Sequence, residues 1–467
     1  MLFESKRSLL KNTIALSAPN WANPFVSLLL VYVLSRRLGV EGMGQYALLS
    51  SYLSVFTTIA SLGLGGLIVR EISRNPEEIH TLTVNSLLFG LLSSLIAIII
   101  MDSITGLLHY DRELLLALII GSVSLIPASC SRFMESAFLA VERTEFIALG
   151  QFFDNLTKVI LCTIFVLLGH GIVAISTMTV LARVLGLGLL LIFYLNTIGI
   201  LRVKLDRNVW AMLLKGSPTF LGIAIFSSIY LNIDVILLSK LANVSSVGIY
   251  SAASKINQLC VIVPTALSFA VLPTFSRSFV HGLDSLRKKT ELSIHYILVI
   301  CLPLTAGIIV LANRLIFLIY GQEFAGSAPI LRLIAPSLVF YSLTLILSQA
   351  LIAANYQRID LAINIVAAIL AVGLNCLLIP RFAEFGAALA GVFTVLIFAI
   401  LQIIFVVRNM FTVRLIQIAI KPLLASIGMV IVTYALRDTN LLTNYLISTL
   451  VYFAFLVFLK GLYPPST

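Results

Sequence analysis

The chain is written as a succession of long apolar runs separated by short polar or charged breaks. Runs such as NSLLFGLLSSLIAIII and YLISTLVYFAFLVFL recur end to end, each near the ~20 residues that an α-helix needs to cross the hydrocarbon of a bilayer. Open sheets cannot do this, because lipid offers no partner for unpaired backbone groups. The pattern predicts about 14 spans, at roughly 12–35, 44–66, 82–103, 113–137, 146–168, 172–195, 216–239, 246–271, 292–312, 326–350, 359–379, 385–406, 415–436 and 441–459. The expected fold is therefore an all-α polytopic membrane protein. Pro24, Pro127, Pro264, Pro303 and Pro336 fall deep inside these runs and are expected to kink their helices, or to sit as static bends satisfied by neighbours.

Within this apolar background one short pattern is repeated. VLSRRLGVEGMGQY begins at Val33 and LLSKLANVSSVGIY at Leu237. With Leu34 set against Leu238 and no gap, Ser35 meets Ser239, Arg36 meets Lys240, Val40 meets Val244, Gly44 meets Gly248 and Tyr46 meets Tyr250. Six predicted spans separate the copies, and an even number restores the original orientation. That spacing is expected of two parallel halves, one of the repeat arrangements of secondary transporters. The expected organisation is two six-helix lobes, 1–208 and 209–410, with 411–467 as an appended helix pair.

Composition fits this picture: 467 residues are 60% hydrophobic and 11% charged, where average soluble domains carry about 25% charged residues. Lys and Arg near span ends are unevenly divided. If the N-terminus is cytoplasmic, inner loops carry about 18, Lys6, Arg7, Lys11, Arg202 and Lys460 among them, and outer loops about 7, including Arg437. Both termini are thus expected inside the cytoplasmic (inner) membrane. This bias accounts for much of the net charge of +11, so a nucleic-acid partner is not needed to explain it. The basic start MLFESKRSLLKNTIALSAP runs into a first span and carries no evident cleavable signal.

Ionisable side chains inside spans cost on the order of 3 kcal/mol each by insertion scales, so they are expected to face protein or water. Arg132 and Glu135 are spaced i, i+3, and Asp154 and Lys158 i, i+4, which places each pair on one helix face. They read either as two local ion pairs or as the wall of a polar cavity. Arg183 and Lys255 have no acidic residue within a helical turn of them in the sequence, while Asp234 and Arg332 lie toward outer span ends. A cavity lined by such cations favours anions, since Arg grips phosphate oxygens as a fork and Lys acts as a point charge. Ser251, Ser254, Lys255 and Gln258 form a polar strip at helical spacing. Tyr46 and Tyr250 are candidates for stacking on sugar rings or for an interfacial aromatic belt.

Other chemistry is missing. No GxxxxGK[ST] loop is present, so no ATP site is expected. The five histidines form no ligand motif, and Cys130, Cys162, Cys260, Cys301 and Cys376 all fall in apolar runs, as small buried hydrophobes rather than a metal site or a disulfide framework. No catalytic residues, metal or cofactor are expected.

The span-end motifs resemble those of polysaccharide transporters, the O-antigen (Wzx-type) flippases of the multidrug/oligosaccharidyl-lipid/polysaccharide exporter superfamily. They are LGVEGMGQY, REISR, AVERTEF, NVSSVGIYSAASK, LPTFSR, IYGQEFAGSAPILRLIAPS, AANYQR and LIPRFAEFGAALAGV, in order along nearly the whole chain. The resemblance implies that the chain moves a polyprenyl-diphosphate-linked oligosaccharide across the cytoplasmic membrane, with membrane lipids around it and polysaccharide polymerase and glycosyltransferases as candidate partners. It carries a cationic cavity onto Arg132, Lys158, Arg183 and Lys255, with Arg332 beside them by position, and an acidic site onto Asp234. Glu135, Asp154 and Asp234 are candidate H⁺ or Na⁺ coupling sites, and Tyr46, Tyr250, Ser254 and Gln258 candidate sugar contacts. Competing readings are a multidrug/cation antiporter or lipid II flippase of the same superfamily, or a membrane-embedded glycan polymerase or ligase. A cation exporter would favour carboxylates, whereas Arg132, Lys158, Arg183, Lys255 and Arg332 outnumber Glu135, Asp154 and Asp234.

Overall fold

A computed structural model describes the backbone of residues 2–201, 204–436, 439–459 and 461, and side chains from 22 onward within these, apart from 219, 220, 223, 226, 227, 229–231, 269, 441 and 442. Of the loop charges counted above, Arg202, Arg437 and Lys460 lie outside the described residues, as do the side chains of Lys6, Arg7 and Lys11.

All regular structure among the described residues is helical, and it packs as two compact units, Met1–Lys240 and Leu241–Thr467. The first holds α1 (Leu2–Ala60), α2 (Gly65–Arg74), α3 (Ile79–Leu107), α4 (Arg112–Ser122), α5 (Leu125–Ala140), α6 (Thr144–Leu167), α7 (Ile172–Thr197) and α8 (Arg207–Leu241). The second holds α9 (Val244–Val280), α10 (Leu283–Ile319), α11 (Ser327–Ile334), α12 (Ser337–Ala353), α13 (Gln357–Asn409), α14 (Leu415–Ala435) and α15 (Leu441–Phe458). Ten helical stretches among the described residues are long and apolar enough to cross a bilayer.

Two of these stretches each hold a pair of expected spans. The loops expected near residues 36–43 and 380–384 are sharp breaks inside continuous helices, at Gly39 (φ 64°) in α1 and Ala383 (φ 47°) in α13. Positive φ is open to glycine at no steric cost but strains alanine. Beyond the second break Gly386 lies against the Leu378 carbonyl, where a Cβ would collide, so the return arm depends on a bare Cα. In the gap-free register of the sequence, Gly39, where α1 breaks, stands opposite Asn243. That residue caps α9, its Oδ1 accepting the Ser246 N–H at 2.7 Å.

Two of the expected kinks are breaks instead. The runs at 113–137 and 326–350 each divide into two helices just ahead of Pro127 and Pro336, giving α4/α5 and α11/α12. A proline has no N–H to donate and clashes with the preceding turn, so it is accommodated most easily at the start of a new helix. Pro264 and Pro303 do remain inside α9 and α10.

The unit boundary falls at the end of α8, whereas the repeat placed a lobe boundary at 208/209. Contacts at both ends of α8 explain its placement. At its start Trp210 Nε1 donates to Asn85 Oδ1 at 2.9 Å, and Val209 and Leu213 join a core with Leu64, Ile68, Phe89, Phe133 and Tyr194. At its end Lys240 Nζ donates to the Leu108 carbonyl at 2.6 Å and lies 3.3 Å over the Tyr110 ring, while Ser239 and Tyr110 share a 3.0 Å hydrogen bond. Four cysteines are buried or half-buried, but Cys376 is exposed on α13, which corrects the expectation that all five are interior.

The appended helices pack on α10, with Ala425, Met429, Tyr452 and Leu456 against Val299, and one of these contacts is polar. Pro303 cannot donate to the carbonyl four residues earlier, and the hydroxyl of fully buried Tyr452 on α15 donates to that carbonyl, Val299 O, at 2.7 Å. Removing the donor leaves a buried acceptor bare, at a cost of about 1–3 kcal/mol. Tyr452→Phe is therefore expected to lower the thermal midpoint of the purified protein in detergent. In a Pro303→Ala background, where residue 303 regains its N–H, most of that penalty should disappear.

Candidate functional site

Inside the first unit, α1, α5, α6 and α7 wall a cavity of about 510 Å³. Each helix turns one face to it. From α1 come Tyr46, Ser50, Ser54 and Thr57; from α5, Ala128, Ser131, Arg132 and Glu135; from α6, Gly150, Gln151, Asp154 and Lys158; from α7, Thr179, Arg183, Gly186 and Leu190. The three- and four-residue steps along each helix are what puts these side chains on a common face.

Glycine sets the depth of the wall between α6 and α7. A Cβ on Gly150 would stand 2.6 Å from Leu190 Cδ2, and one on Gly186 would stand 3.1 Å from Asp154 Cβ and 3.2 Å from its Oδ1. The two helices thus approach closely enough to hold the Asp154 carboxylate against α7, one turn from Arg183. The neighbouring Asn155 ties α6 to α1, its Nδ2 donating to Asn23 O at 3.0 Å and to Asn23 Oδ1 at 3.2 Å while its Oδ1 accepts from Ser27 Oγ at 3.2 Å. On the α5 side Gln151 Nε2 donates to Glu135 Oε1 at 3.2 Å.

Three cations and two carboxylates therefore share the cavity, and they are not closed into pairs. Among the described residues, N···O contacts within 4.0 Å join Arg70 and Arg74 to Glu71, Arg143 to Glu145 and Arg287 to Asp284. Neither Arg132–Glu135 nor Asp154–Lys158 forms one, so the local-ion-pair reading of those spacings is corrected. Arg183 is half-buried; Asp154 attracts its charge and Arg132 repels it. With both acids ionised the cavity carries one excess positive charge, in a wall whose low dielectric strengthens every such interaction. An anion entering it meets guanidinium and ammonium donors that no carboxylate has taken.

The structure thus brings together Tyr46, Arg132, Glu135, Asp154, Lys158 and Arg183. Asp234, on α8, is half-buried and outside this lining. The remaining candidates belong to the second unit. Ser254 and Lys255 are half-buried and Gln258 exposed on α9, and exposed Arg332 on α11 directs Nε to the Ile309 carbonyl at 3.3 Å. Tyr250, on α9, is only 6% exposed. Sequence reasoning missed Gln151 and the hydroxyl face Ser50, Ser54, Thr57, although the i, i+4, i+7 spacing of the latter is visible in the run after Tyr46.

Ten apolar bilayer-length stretches among the described residues and a polar, charged cavity within the helices define a polytopic membrane transporter. Comparison with known proteins agrees. A family model described as "Polysaccharide biosynthesis protein" matches residues 9–279, and one described as MatE matches 218–377. The chain belongs to the polysaccharide biosynthesis protein family, in the multidrug/oligosaccharidyl-lipid/polysaccharide exporter superfamily. Its relatives include a Haloferax volcanii protein named "Probable low-salt glycan biosynthesis flippase Agl15", 23% identical over 404 residues, covering 84% of this chain and 81% of that one. Another is a Shigella dysenteriae protein named "Putative O-antigen transporter", 25% identical over 393 residues, covering 82% and 96%. Among solved structures, the lipid II flippase MurJ in an inward closed conformation superposes with a TM-score of 0.82 over 96% of this chain and 99% of that one, at 18% identity; this likeness concerns the fold.

If the cavity is wet, a thiol on its wall is reachable from water. With Cys376 replaced by alanine, Ser131→Cys is expected to react with a charged methanethiosulfonate reagent supplied to both faces of membrane vesicles. Cys130, adjacent in sequence but buried, should stay unlabelled. Mass spectrometry of the labelled peptide distinguishes the two.

Proposed function

We propose that this protein is a flippase that carries a polyprenyl-diphosphate-linked oligosaccharide, the repeat unit of O-antigen or another surface polysaccharide, from the cytoplasmic to the outer leaflet. The observation that carries the proposal is the set of three cations, Arg132, Lys158 and Arg183, left open to a cavity among membrane helices. Transfer of a carboxylate-sized ion from water into a low-dielectric medium costs on the order of 20 kcal/mol in the Born limit, so a diphosphate cannot cross lipid unaided. The cations replace its lost hydration, with Arg forks holding oxygens bidentately and Lys158 as a point charge. The polyprenyl tail needs no such shelter and remains in lipid.

In this reading the chain has 14 spans, with both termini cytoplasmic as the Lys/Arg bias suggests, and works by alternating access. Glu135 and Asp154 are positioned to exchange H⁺ or Na⁺ as the anion comes and goes; Asp234 is a further candidate. Lys255 and Arg332 are further cationic candidates, and Ser254 and Gln258 further sugar contacts, of the second unit. The names of the Haloferax and Shigella relatives support a glycan cargo.

The test is complementation of a strain whose surface polysaccharide depends on this chain. Arg183→Gln is expected to cut surface glycan at least about tenfold, a loss of ~1.4 kcal/mol or more in transport, while immunoblots show normal membrane insertion. Arg183→Lys should restore part of the signal. Normal glycan from a chain with Arg132, Lys158 and Arg183 all changed to Gln would exclude the proposal.

A further inference from the structure

The cavity has two chemically different walls. Every charge lies on α5, α6 or α7, whereas α1 contributes only hydroxyls as its polar groups: Tyr46, Ser50, Ser54 and Thr57, at i, i+4, i+8 and i+11. Eleven helical steps extend the ladder over about 16 Å.

Most of these hydroxyls lack the usual helical partner, as do some other buried ones, Thr83, Thr290 and Thr305 among them. A serine or threonine inside a helix ordinarily turns back to a carbonyl one turn earlier, as Ser94 does to Gly90, Ser136 to Arg132, Thr265 to Val261 and Thr394 to Ala390. On the cavity face of α1 they do not. Thr57 is 4% exposed and its Oγ1 has no hydrogen-bond partner. The hydroxyls of Tyr46 and Ser50 have none among the described residues, and Ser54 Oγ only accepts a long 3.4 Å contact from Asn232 Nδ2. Of the four, Tyr46 and Ser50 are half-buried, Ser54 is exposed and Thr57 is buried; the buried, unpartnered hydroxyl of Thr57 is costly unless something supplies its partner.

We infer that this α1 ladder is a saccharide-binding subsite that reads the glycan while the α5–α7 wall holds the diphosphate; the inference rests on the function proposed above. The division follows from chemistry. A diphosphate only accepts hydrogen bonds and seeks cations, whereas sugar hydroxyls both donate and accept, as the ladder does. Tyr46 at one end adds an aromatic face for the C–H side of a pyranose, with a hydroxyl at its rim. Neutral hydroxyls discriminate sugars by their stereochemistry and leave the grip on the phosphates unaltered, so the ladder is where one repeat unit is told from another.

The test uses the full chain in detergent and two kinds of probe: bare undecaprenyl diphosphate, and undecaprenyl diphosphate carrying each of a panel of short glycans. Wild type is expected to bind its best glycan-bearing lipid at least about tenfold more tightly than the bare lipid. Ser50→Ala with Thr57→Val should erase that preference and leave the bare-lipid affinity in place. Because Thr57→Val removes an unpartnered hydroxyl at constant shape, the thermal midpoint should hold or rise. Equal weakening toward both probes, an unchanged preference, or a fall in thermal midpoint that accounts for the loss would each overturn the inference. The proposed function fails separately, and takes this inference with it, if wild type binds neither probe or if Arg183→Gln binds the bare lipid as wild type does.

Discussion

Hydrocarbon offers no hydrogen-bond partner and no screening, and the architecture follows from that constraint. Each carbonyl freed by a proline, each helix end and each charge must find its partner inside the protein or in enclosed water. The carbonyl freed by Pro303 is met by Tyr452, and the end of α3 by Lys240 through the Leu108 carbonyl. Ahead of Pro127 and Pro336 the chain breaks into a new helix instead. The same constraint gathers Arg132, Glu135, Asp154, Lys158 and Arg183 around one cavity, because five ionisable groups scattered over lipid-facing surface would each bear a separate desolvation cost.

Packing and electrostatics are linked at the α6–α7 contact. Gly150 and Gly186 let the helices close to where a Cβ would collide or crowd, and this approach holds Asp154 near Arg183 without joining them into a salt bridge. Asn155 fixes the other side of α6 to α1. With α6 held on both flanks, rotation of that helix would break these contacts, and the open arrangement of charges is a property of the backbone as well as of the side chains.

The apolar runs make the helices legible in the sequence, since no soluble fold explains so many stretches of bilayer length. Connections are less legible: Gly39 and Ala383 sit in polar breaks that look like loops, and a hydropathy window cannot tell a turn from a single left-handed residue in a continuous helix. Cys376 shows a second limit. Apolarity signals burial from water, and in a bilayer the outer surface satisfies it as well as the interior does. Mid-span charges were readable because they are rare, yet i, i+4 spacing fixed only their shared face; the reach of Lys158 and Asp154 along it is a rotamer outcome. Gln151 and the α1 hydroxyls were hidden because such groups are cheap in helices and common outside sites.

A mixed cavity also suits a carrier better than a purely cationic one. A site that held a diphosphate with three fully exposed cations would bind it tightly and release it slowly, since affinity differences within one kind of site are expressed mostly in dissociation. Glu135 and Asp154 lower the net field while leaving the forked donors in place, so recognition geometry is kept and the depth of the well is reduced. Uniformly tight binding of a passenger gains nothing for turnover; what matters is a lower barrier at the middle of the path. The pairing of open cations with nearby but unbonded carboxylates is therefore the arrangement expected where an anion must pass through and leave.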